Sequence, residues 1–146
     1  MDSDAFYMEI ALQEARKALE EGEIPVGAVV VCGDKIVAKA HNQTERLHDS
    51  TAHAEMLALT AAMNALGAKY LSECTLYVTL EPCHMCAGAA YWSKLGNLVY
   101  AAEDDQRGFA HLHCPVHPKT RIRKGVLREQ SEALLRIFFQ RIRGND

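Results

Sequence analysis

The sequence predicts an α/β protein in which helices are layered on a partly parallel sheet. Short apolar runs of the kind that form buried strands alternate with longer segments of helical period. The clearest case is the Ala-rich helical segment CHMCAGAAYWSK, which separates the strand-like runs TLYVTL (75–80) and NLVYA (97–101). A helix between two such strands is typical of a parallel crossover. With 146 residues, about half of them hydrophobic, the chain is expected to form one domain, residues 1–146.

The first half of the chain supplies a helix, a strand pair and a second helix. Residues 4–20 have the period of an amphipathic helix that covers a sheet. Two β-rich runs, near 24–32 and 35–41, are joined at Gly33-Asp34, a turn pair typical of hairpins. The helical segment HAEMLALTAAMNALG follows and is apolar nearly all round, which predicts a helix enclosed in the interior.

The second half ends in a basic segment. Residues 103–118 are polar and loop-like, and a last helix over about 128–143 is expected to face inward through Leu134, Leu135, Phe138, Phe139 and Ile142. Residues 119–146 hold 8 of the chain's 16 basic residues but 3 of its 19 acidic residues. Such a segment is either a phosphate-binding surface or the solvated face of a helix.

Composition excludes several classes of protein. No apolar run approaches the length that crosses a bilayer, and the acidic N-terminal segment lacks the features of a signal peptide. No membrane partner and a cytoplasmic location are therefore expected. Five cysteines, an odd number, argue against a disulfide framework and favour metal or redox use.

The motif EPCHMC (81–86) places Cys83 and Cys86 after a strand and at the start of a helix. This position lowers the pKa of a thiol and suits either a zinc site or a thioredoxin-like redox pair. Haem attachment is excluded because Ala87, and not a histidine, follows the second cysteine. Zinc would need ligands beyond these two thiolates.

The segment TAHAE (51–55) offers the remaining zinc chemistry. His53 would be a third ligand, which leaves the fourth position open for water, as in catalytic zinc sites. Glu55 would be the nearby base that water activation requires. A His-x-Glu triplet often occurs by chance and an isolated CxxC is ambiguous, but the two together favour one catalytic Zn²⁺ per chain.

With these motifs, the chain resembles the zinc-dependent cytidine and nucleotide deaminases, whose signature is H-x-E…P-C-x-x-C. Within that superfamily it is most similar to bacterial tRNA adenosine deaminases, through PVGAVVV, AHN, TAHAEM, TLYVTLEPC and MCAGA. The resemblance implies a three-layer αβα fold of the cytidine deaminase kind, with a five-stranded mixed sheet flanked by helices. It also implies a homodimer.

The resemblance further implies a reaction and a set of contacts. The expected activity is hydrolytic deamination of the wobble adenosine of a tRNA anticodon stem-loop to inosine, with Glu55 relaying protons. Asn42 and the backbone near Ala54 would contact the flipped base. An RNA substrate requires phosphate contacts, for which the candidates are Arg107, Arg136, Arg141 and Arg143.

The loop 103–118 departs from the small-residue loop usual in this family. It contains a cluster that looks like a second metal site, interrupted by two prolines, formed by His111, His113, Cys114 and His117. We expect these side chains to face nucleic acid or solvent. Asp104 could pair with the N–H donors of guanine, which keeps a free-base deaminase (guanine or cytosine) as an alternative. A non-catalytic zinc-binding module is disfavoured by the presence of Glu55.

Overall fold

The computed structural model describes residues 3–144 as four helices and five strands. The helices are α1 (Ser3–Glu20), α2 (Ala54–Leu66), α3 (His84–Trp92) and α4 (Arg128–Gly144). The strands are β1 (Gly27–Cys32), β2 (Lys35–His41), β3 (Cys74–Leu80), β4 (Asn97–Ala102) and β5 (Arg121–Lys124). No helix among the described residues is long and apolar enough to cross a bilayer.

The strands form one mixed sheet in the order β2-β1-β3-β4-β5. β1 is antiparallel to both β2 and β3, whereas β3, β4 and β5 run parallel to one another. α2 and α3 pack on one face of this sheet, and α1 and α4 on the other. The predicted three-layer αβα architecture with a five-stranded mixed sheet is therefore confirmed.

The inner strands are apolar on both sides because helices cover both faces. In β1, Val30 packs with α2 and α3, while its neighbour Val29 packs with α1, and both side chains are fully buried. The directly paired residues of β3, Leu76 and Tyr77, repeat this division. Two-sided burial explains why these strands are continuous apolar runs rather than alternating ones.

α2 is less enclosed than its composition predicts, and that prediction is wrong. Its inward side consists mainly of small residues around Leu59. On the opposite side Thr60, Ala61 and Leu66 are exposed. A helix that is apolar all round can thus leave one apolar face uncovered by its own chain.

α4 also differs from expectation, because only its first half packs inward. Leu134 is buried, and the buried Ser131 hydroxyl donates to the Thr79 carbonyl (2.5 Å). Phe139 and Ile142, predicted to face inward, are 46% and 50% exposed. Beyond Leu134 the apolar side of the helix borders a cleft instead of the sheet.

The topology brings three loops to one edge of the sheet. β2, β3 and β4 point the same way, so the segments that follow them begin side by side. These segments are 42–53, 81–83 and 103–120. In open α/β sheets, ligands bind beyond the carboxyl ends of strands, and this edge carries all the predicted zinc residues.

Candidate active site

His53, Cys83 and Cys86 converge at this edge. The His53 Nδ1 atom lies 3.7 Å from Cys83 Sγ and 3.6 Å from Cys86 Sγ, and the two sulfurs are 3.8 Å apart. A tetrahedral zinc ion with ordinary bond lengths requires about 3.8 Å between sulfurs and about 3.6 Å between sulfur and nitrogen. Among residues 3–144, these form the one group of three or more potential ligands whose atoms lie this close. The three residues therefore fit Zn²⁺ and leave a fourth position open.

Two helix N-termini supply the electrostatics of this ligand set. His53 is the N-cap of α2 and Cys83 is the N-cap of α3, both in extended backbone conformations. The positive ends of both helix dipoles favour thiolates over thiols. The hydrogen bond between Cys83 and Cys86 lowers the pKa of Cys83 to about 3, and His53 adds to the effect. The same contact raises the pKa of Cys86.

Glu55 lies directly beside this ligand set. Its side chain is 4% exposed, and burial raises the pKa of its carboxyl group to about 7. It contacts Cys86 and borders the cleft. A carboxyl group with a pKa near neutrality can both accept and return a proton during turnover.

Asn42 and Ala54 are linked to each other. The Asn42 Oδ1 atom accepts the Ala54 N–H (2.8 Å), so this side chain ties the end of β2 to the first turn of α2. Asn42 borders the cleft, whereas Ala54 is fully buried. This contact uses the Asn42 oxygen and not its amide nitrogen.

Asp104 and Arg107 lie on the segment 103–107, which borders the cleft opposite α2. The Asp104 Oδ1 atom accepts the N–H groups of Gln106 and Arg107 (3.0 and 2.9 Å). This carboxylate is thus partly engaged in shaping its own turn. The Arg107 side chain is exposed beside the cleft.

The histidines and cysteine of the loop 103–118 do not form a metal site among the residues described, in line with the expectation that they face nucleic acid or solvent. His117 accepts the Lys119 N–H at Nδ1 (3.1 Å) and its ring lies 5.8 Å from that of Tyr91. The Cys114 thiol donates to the Leu112 carbonyl (3.8 Å). His111 and His113 are exposed, as expected for side chains that face nucleic acid or solvent.

The basic segment 119–146 is partly neutralised by ion pairs within the chain. Arg123, Lys124 and Arg128 form ion pairs with acidic side chains. Three exposed cations of α4 that are predicted to contact RNA form no such ion pair within residues 3–144. These cations are Arg136, Arg141 and Arg143. They flank the apolar side of α4 that borders the cleft.

The cleft has a volume of about 930 Å³. This is at the upper end of the roughly 300–1,000 Å³ usual for small-molecule sites. Its floor includes His53, Glu55 and Cys83, and α4 contributes an apolar wall of Leu135, Phe138, Phe139 and Ile142. The apolar wall and the neighbouring arginines can therefore contact more of a substrate than the reacting base.

Two buried glutamates that border the cleft were not predicted as site residues. Glu23 accepts the N–H of Arg46 (2.8 Å) and that of Glu45 (3.1 Å), and Glu81 accepts those of Asp104 and Ala110 (both 3.0 Å). Each stands where a cleft loop meets the body of the protein. A signal existed in the sequence for Glu81, which ends the apolar run TLYVTL directly before Pro82, whereas Glu23 lies in an acidic segment two residues before Pro25.

Comparisons with known proteins agree with this geometry. The model of the cytidine and deoxycytidylate deaminase zinc-binding region matches residues 1–102. The tRNA-specific adenosine deaminase of Aquifex aeolicus (strain VF5) is 43% identical over 146 residues, which cover 96% of each chain. A solved structure from a study of A-to-I editing by tRNA:A34 deaminases has a TM-score of 0.81 and 38% identity, covering 89% of this chain and 99% of that chain.

Guanine deaminases share the fold over less of the chain or at lower identity. A structure of guanine deaminase from Bacillus subtilis has a TM-score of 0.66 and 39% identity, covering 70% of this chain and 66% of that chain. A structure of guanine deaminase from Nitrosomonas europaea has a TM-score of 0.76 and 28% identity, covering 90% of this chain and 81% of that chain. Identity over nearly the whole length thus separates the two groups of relatives. The chain belongs to the zinc-binding cytidine and deoxycytidylate deaminase family and, within it, to the tRNA-specific adenosine deaminases.

Proposed function

We propose that this protein removes the exocyclic amine of the wobble adenosine in a tRNA anticodon stem-loop, using water to form inosine and ammonia. The observation that carries the proposal is the position of Glu55, a buried proton carrier beside a three-ligand zinc set at the floor of the cleft. The identity to tRNA-specific adenosine deaminases supports adenosine in tRNA as the substrate.

Metal binding and proton transfer are assigned to different residues of the site. His53, Cys83 and Cys86 would hold Zn²⁺, which when bound supplies a Lewis acid that lowers the pKa of a coordinated water. Glu55 accepts a proton from that water and delivers it to the purine ring nitrogen as C6 is attacked. Glu55 then takes the second proton from the hydroxyl group added to C6 and passes it to the departing amine, so one carboxyl group serves as base and acid.

The rest of the cleft suits a nucleotide within RNA. The apolar wall on α4 can stack against bases that flank the flipped adenosine. Arg107 borders the cleft, and three exposed arginines stand on α4, which forms its apolar wall. The candidates for contacts with the flanking phosphates are therefore Arg107, Arg136, Arg141 and Arg143, and Asn42 is the candidate donor to the base. A free base such as guanine would use little of this surface, and the Asp104 carboxylate is partly occupied within its own loop.

The proposal extends to assembly and location. α2 has an uncovered face, and α3, which packs on the same side of the sheet, ends in Tyr91 and the 78% exposed Trp92. These two features support a homodimer formed through this side. A tRNA substrate would place the protein in the cytoplasm, where tRNA is processed.

The deciding experiment is a deamination assay combined with metal analysis. The purified protein should contain about one zinc per chain and convert an anticodon stem-loop with wobble adenosine to the inosine form. The same stem-loop with guanosine at that position is the matched control. Guanine, cytosine and free adenosine should compete weakly, and ammonia release from guanine but not from RNA would refute the proposal.

A further inference from the structure

Glu81 is a buried carboxylate that the zinc chemistry does not use. It immediately precedes Pro82 and Cys83, yet it is absent from the ligand set, and its side chain is 5% exposed. A buried carboxylate requires hydrogen-bond donors to offset its lost hydration. The partners of Glu81 therefore indicate what it does.

Both Glu81 oxygens accept backbone N–H groups of one distant segment. Oε1 accepts from Asp104 and Oε2 accepts from Ala110, each at 3.0 Å. The two amides stand at opposite ends of a turn that includes Arg107 and borders the cleft. We propose that Glu81 is a positioning residue that holds residues 104–110 as one wall of the substrate cleft, an inference that rests on the proposed function.

The same wall is joined to the zinc-ligand loop by further backbone contacts. The Phe109 N–H donates to the Pro82 carbonyl (2.9 Å), and Cys83 forms an isolated antiparallel bridge with Gly108. One short stretch, 81–83, thus carries both a zinc ligand and the attachment of the substrate wall. The distance between the metal and the wall is set by these few bonds.

Gly108 provides space for the Glu81 carboxylate. A Cβ atom added there would overlap the Glu81 carboxyl carbon and would lie 2.6 Å from Oε1 and 2.5 Å from the Asp104 carbonyl oxygen. These distances are far inside van der Waals contact. The wall is therefore packed against Glu81 and cannot approach it more closely or accept a side chain at this point.

The first test is the isosteric change Glu81→Gln. Glutamine offers one carbonyl oxygen and one NH₂ group, so one of the two loop amides loses its acceptor and faces a donor. We expect faster hydrogen exchange at Asp104 and Ala110, unchanged zinc content and a KM for the stem-loop raised about tenfold with a smaller change in kcat. Glu81→Asp, which keeps both acceptor oxygens, should restore part of the KM.

Two further variants separate positioning from general stability. Gly108→Ala displaces the wall while leaving Glu81 intact, so it should raise KM in the same way. Glu14→Gln is the matched control, because Glu14 on α1 is equally buried but pairs with Lys17 on the same helix and with His41 at the end of β2, none of which borders the cleft. It should lower the melting temperature and leave KM unchanged.

Each result decides the proposal. Protected Asp104 and Ala110 amides in Glu81→Gln would show that Glu81 does not hold the wall. Faster exchange of these amides with an unchanged KM would show that the wall does not position the substrate. An equal rise of KM in Glu14→Gln would show that the rise in Glu81→Gln results from lower stability and not from a displaced wall. A wild type inactive on the stem-loop would refute the proposed function, and the exchange measurement would still test the anchoring separately.

Discussion

At the scale of single residues, the chemistry depends on separating metal binding from proton transfer. His53 and Cys83 stand at helix N-caps, whereas Glu55 lies within the first turn of α2 and is buried. Residues two apart on a regular helix point in different directions. Because His53 is an N-cap with extended backbone, its side chain can share the pocket with that of Glu55.

This division predicts the behaviour of Glu55→Ala. The variant should keep the fold and about one zinc per chain, because the three ligands remain, while kcat falls by about 10²–10⁴-fold as the proton carrier is removed. Metal analysis and single-turnover deamination of the stem-loop measure the two effects. The control is His53→Ala, which should lose zinc as well as activity, and loss of zinc in Glu55→Ala would identify Glu55 as a ligand.

At the scale of elements, α4 has two halves with different tasks. Its first half is packed against the body through Ser131 and Leu134, while its second half exposes Phe139 and Ile142 beside the cleft. A helix with an uncovered apolar side and exposed arginines is expected to contact a large polyanionic substrate, which supplies aromatic bases as well as phosphates.

The charge of α4 predicts a change in salt dependence. Replacing Arg136, Arg141 and Arg143 with glutamine should weaken stem-loop binding and reduce the slope of log K against log salt by about 0.7–0.9 for each phosphate that is no longer neutralised. Fluorescence anisotropy across a salt series measures this slope. Replacing Lys35 and Lys39 on β2 together with Lys69 after α2, all away from α4, changes the net charge equally and should barely alter the slope. Equal slopes in both variants would assign the arginines to a solvated face.

The elements and the zinc ligands were predictable from sequence because their signals are local. Apolar runs mark β3 and β4, and the turn residue Gly33 separates β1 from β2. The ligands His53 and Cys83 lie in short motifs. By contrast, all four residues of the strand RIRK (β5) are exposed, and this strand is defined by its backbone pairing with β4. Such an edge strand needs no apolar pattern, so periodicity did not reveal it.

The loop anchors were missed for a different physical reason. Glu23 and Glu81 bind backbone N–H groups about 22–29 positions away in the chain. Backbone amides occur in almost every residue, so the partner of such a carboxylate leaves no mark on the composition of the loop. The uncovered face of α2 was missed because an apolar side chain is equally suited to an interior and to an interface.

At the scale of the whole molecule, the uncovered α2 face and the aromatic end of α3 predict self-association. Tryptophan is prominent among residues that dominate interface energies, and its removal typically costs about 2 kcal/mol or more. Trp92→Ser should therefore weaken the proposed dimer at least about tenfold. Sedimentation velocity over a concentration series measures this change. Phe6→Ser, an exposed aromatic on α1, is the control, and an unchanged monomer–dimer equilibrium in Trp92→Ser would exclude this face.

The fold is also closed by a contact between its two ends. Asp4 on α1 accepts two hydrogen bonds from Arg123 on β5 (2.6 and 3.0 Å) and one from the Tyr77 hydroxyl on β3 (2.8 Å). A bidentate guanidinium–carboxylate pair is stronger than a simple surface pair. Chiefly because of the hydrogen bonds from Arg123, the pKa of Asp4 lies below its ordinary value of 3.8. The charged form of Asp4 is therefore preferentially stabilised in the folded protein.

This contact predicts a specific dependence of stability on pH. Because the pKa of Asp4 is lower in the folded than in the unfolded chain, its contribution is complete above about pH 5 and disappears as pH falls through the folded value. Asp4→Asn should lower the free energy of unfolding by about 1 kcal/mol at pH 7, a modest amount since Arg123 is partly exposed. Urea titrations between pH 3 and about pH 7 measure the difference from wild type. The difference in the free energy of unfolding between Asp4→Asn and the wild type should shrink as the pH falls. The control Glu9→Gln, which removes the exposed pair with Arg16, should change the free energy of unfolding little at any pH. A difference that stayed constant with pH would mean that Asp4 acts through packing and not through its charge.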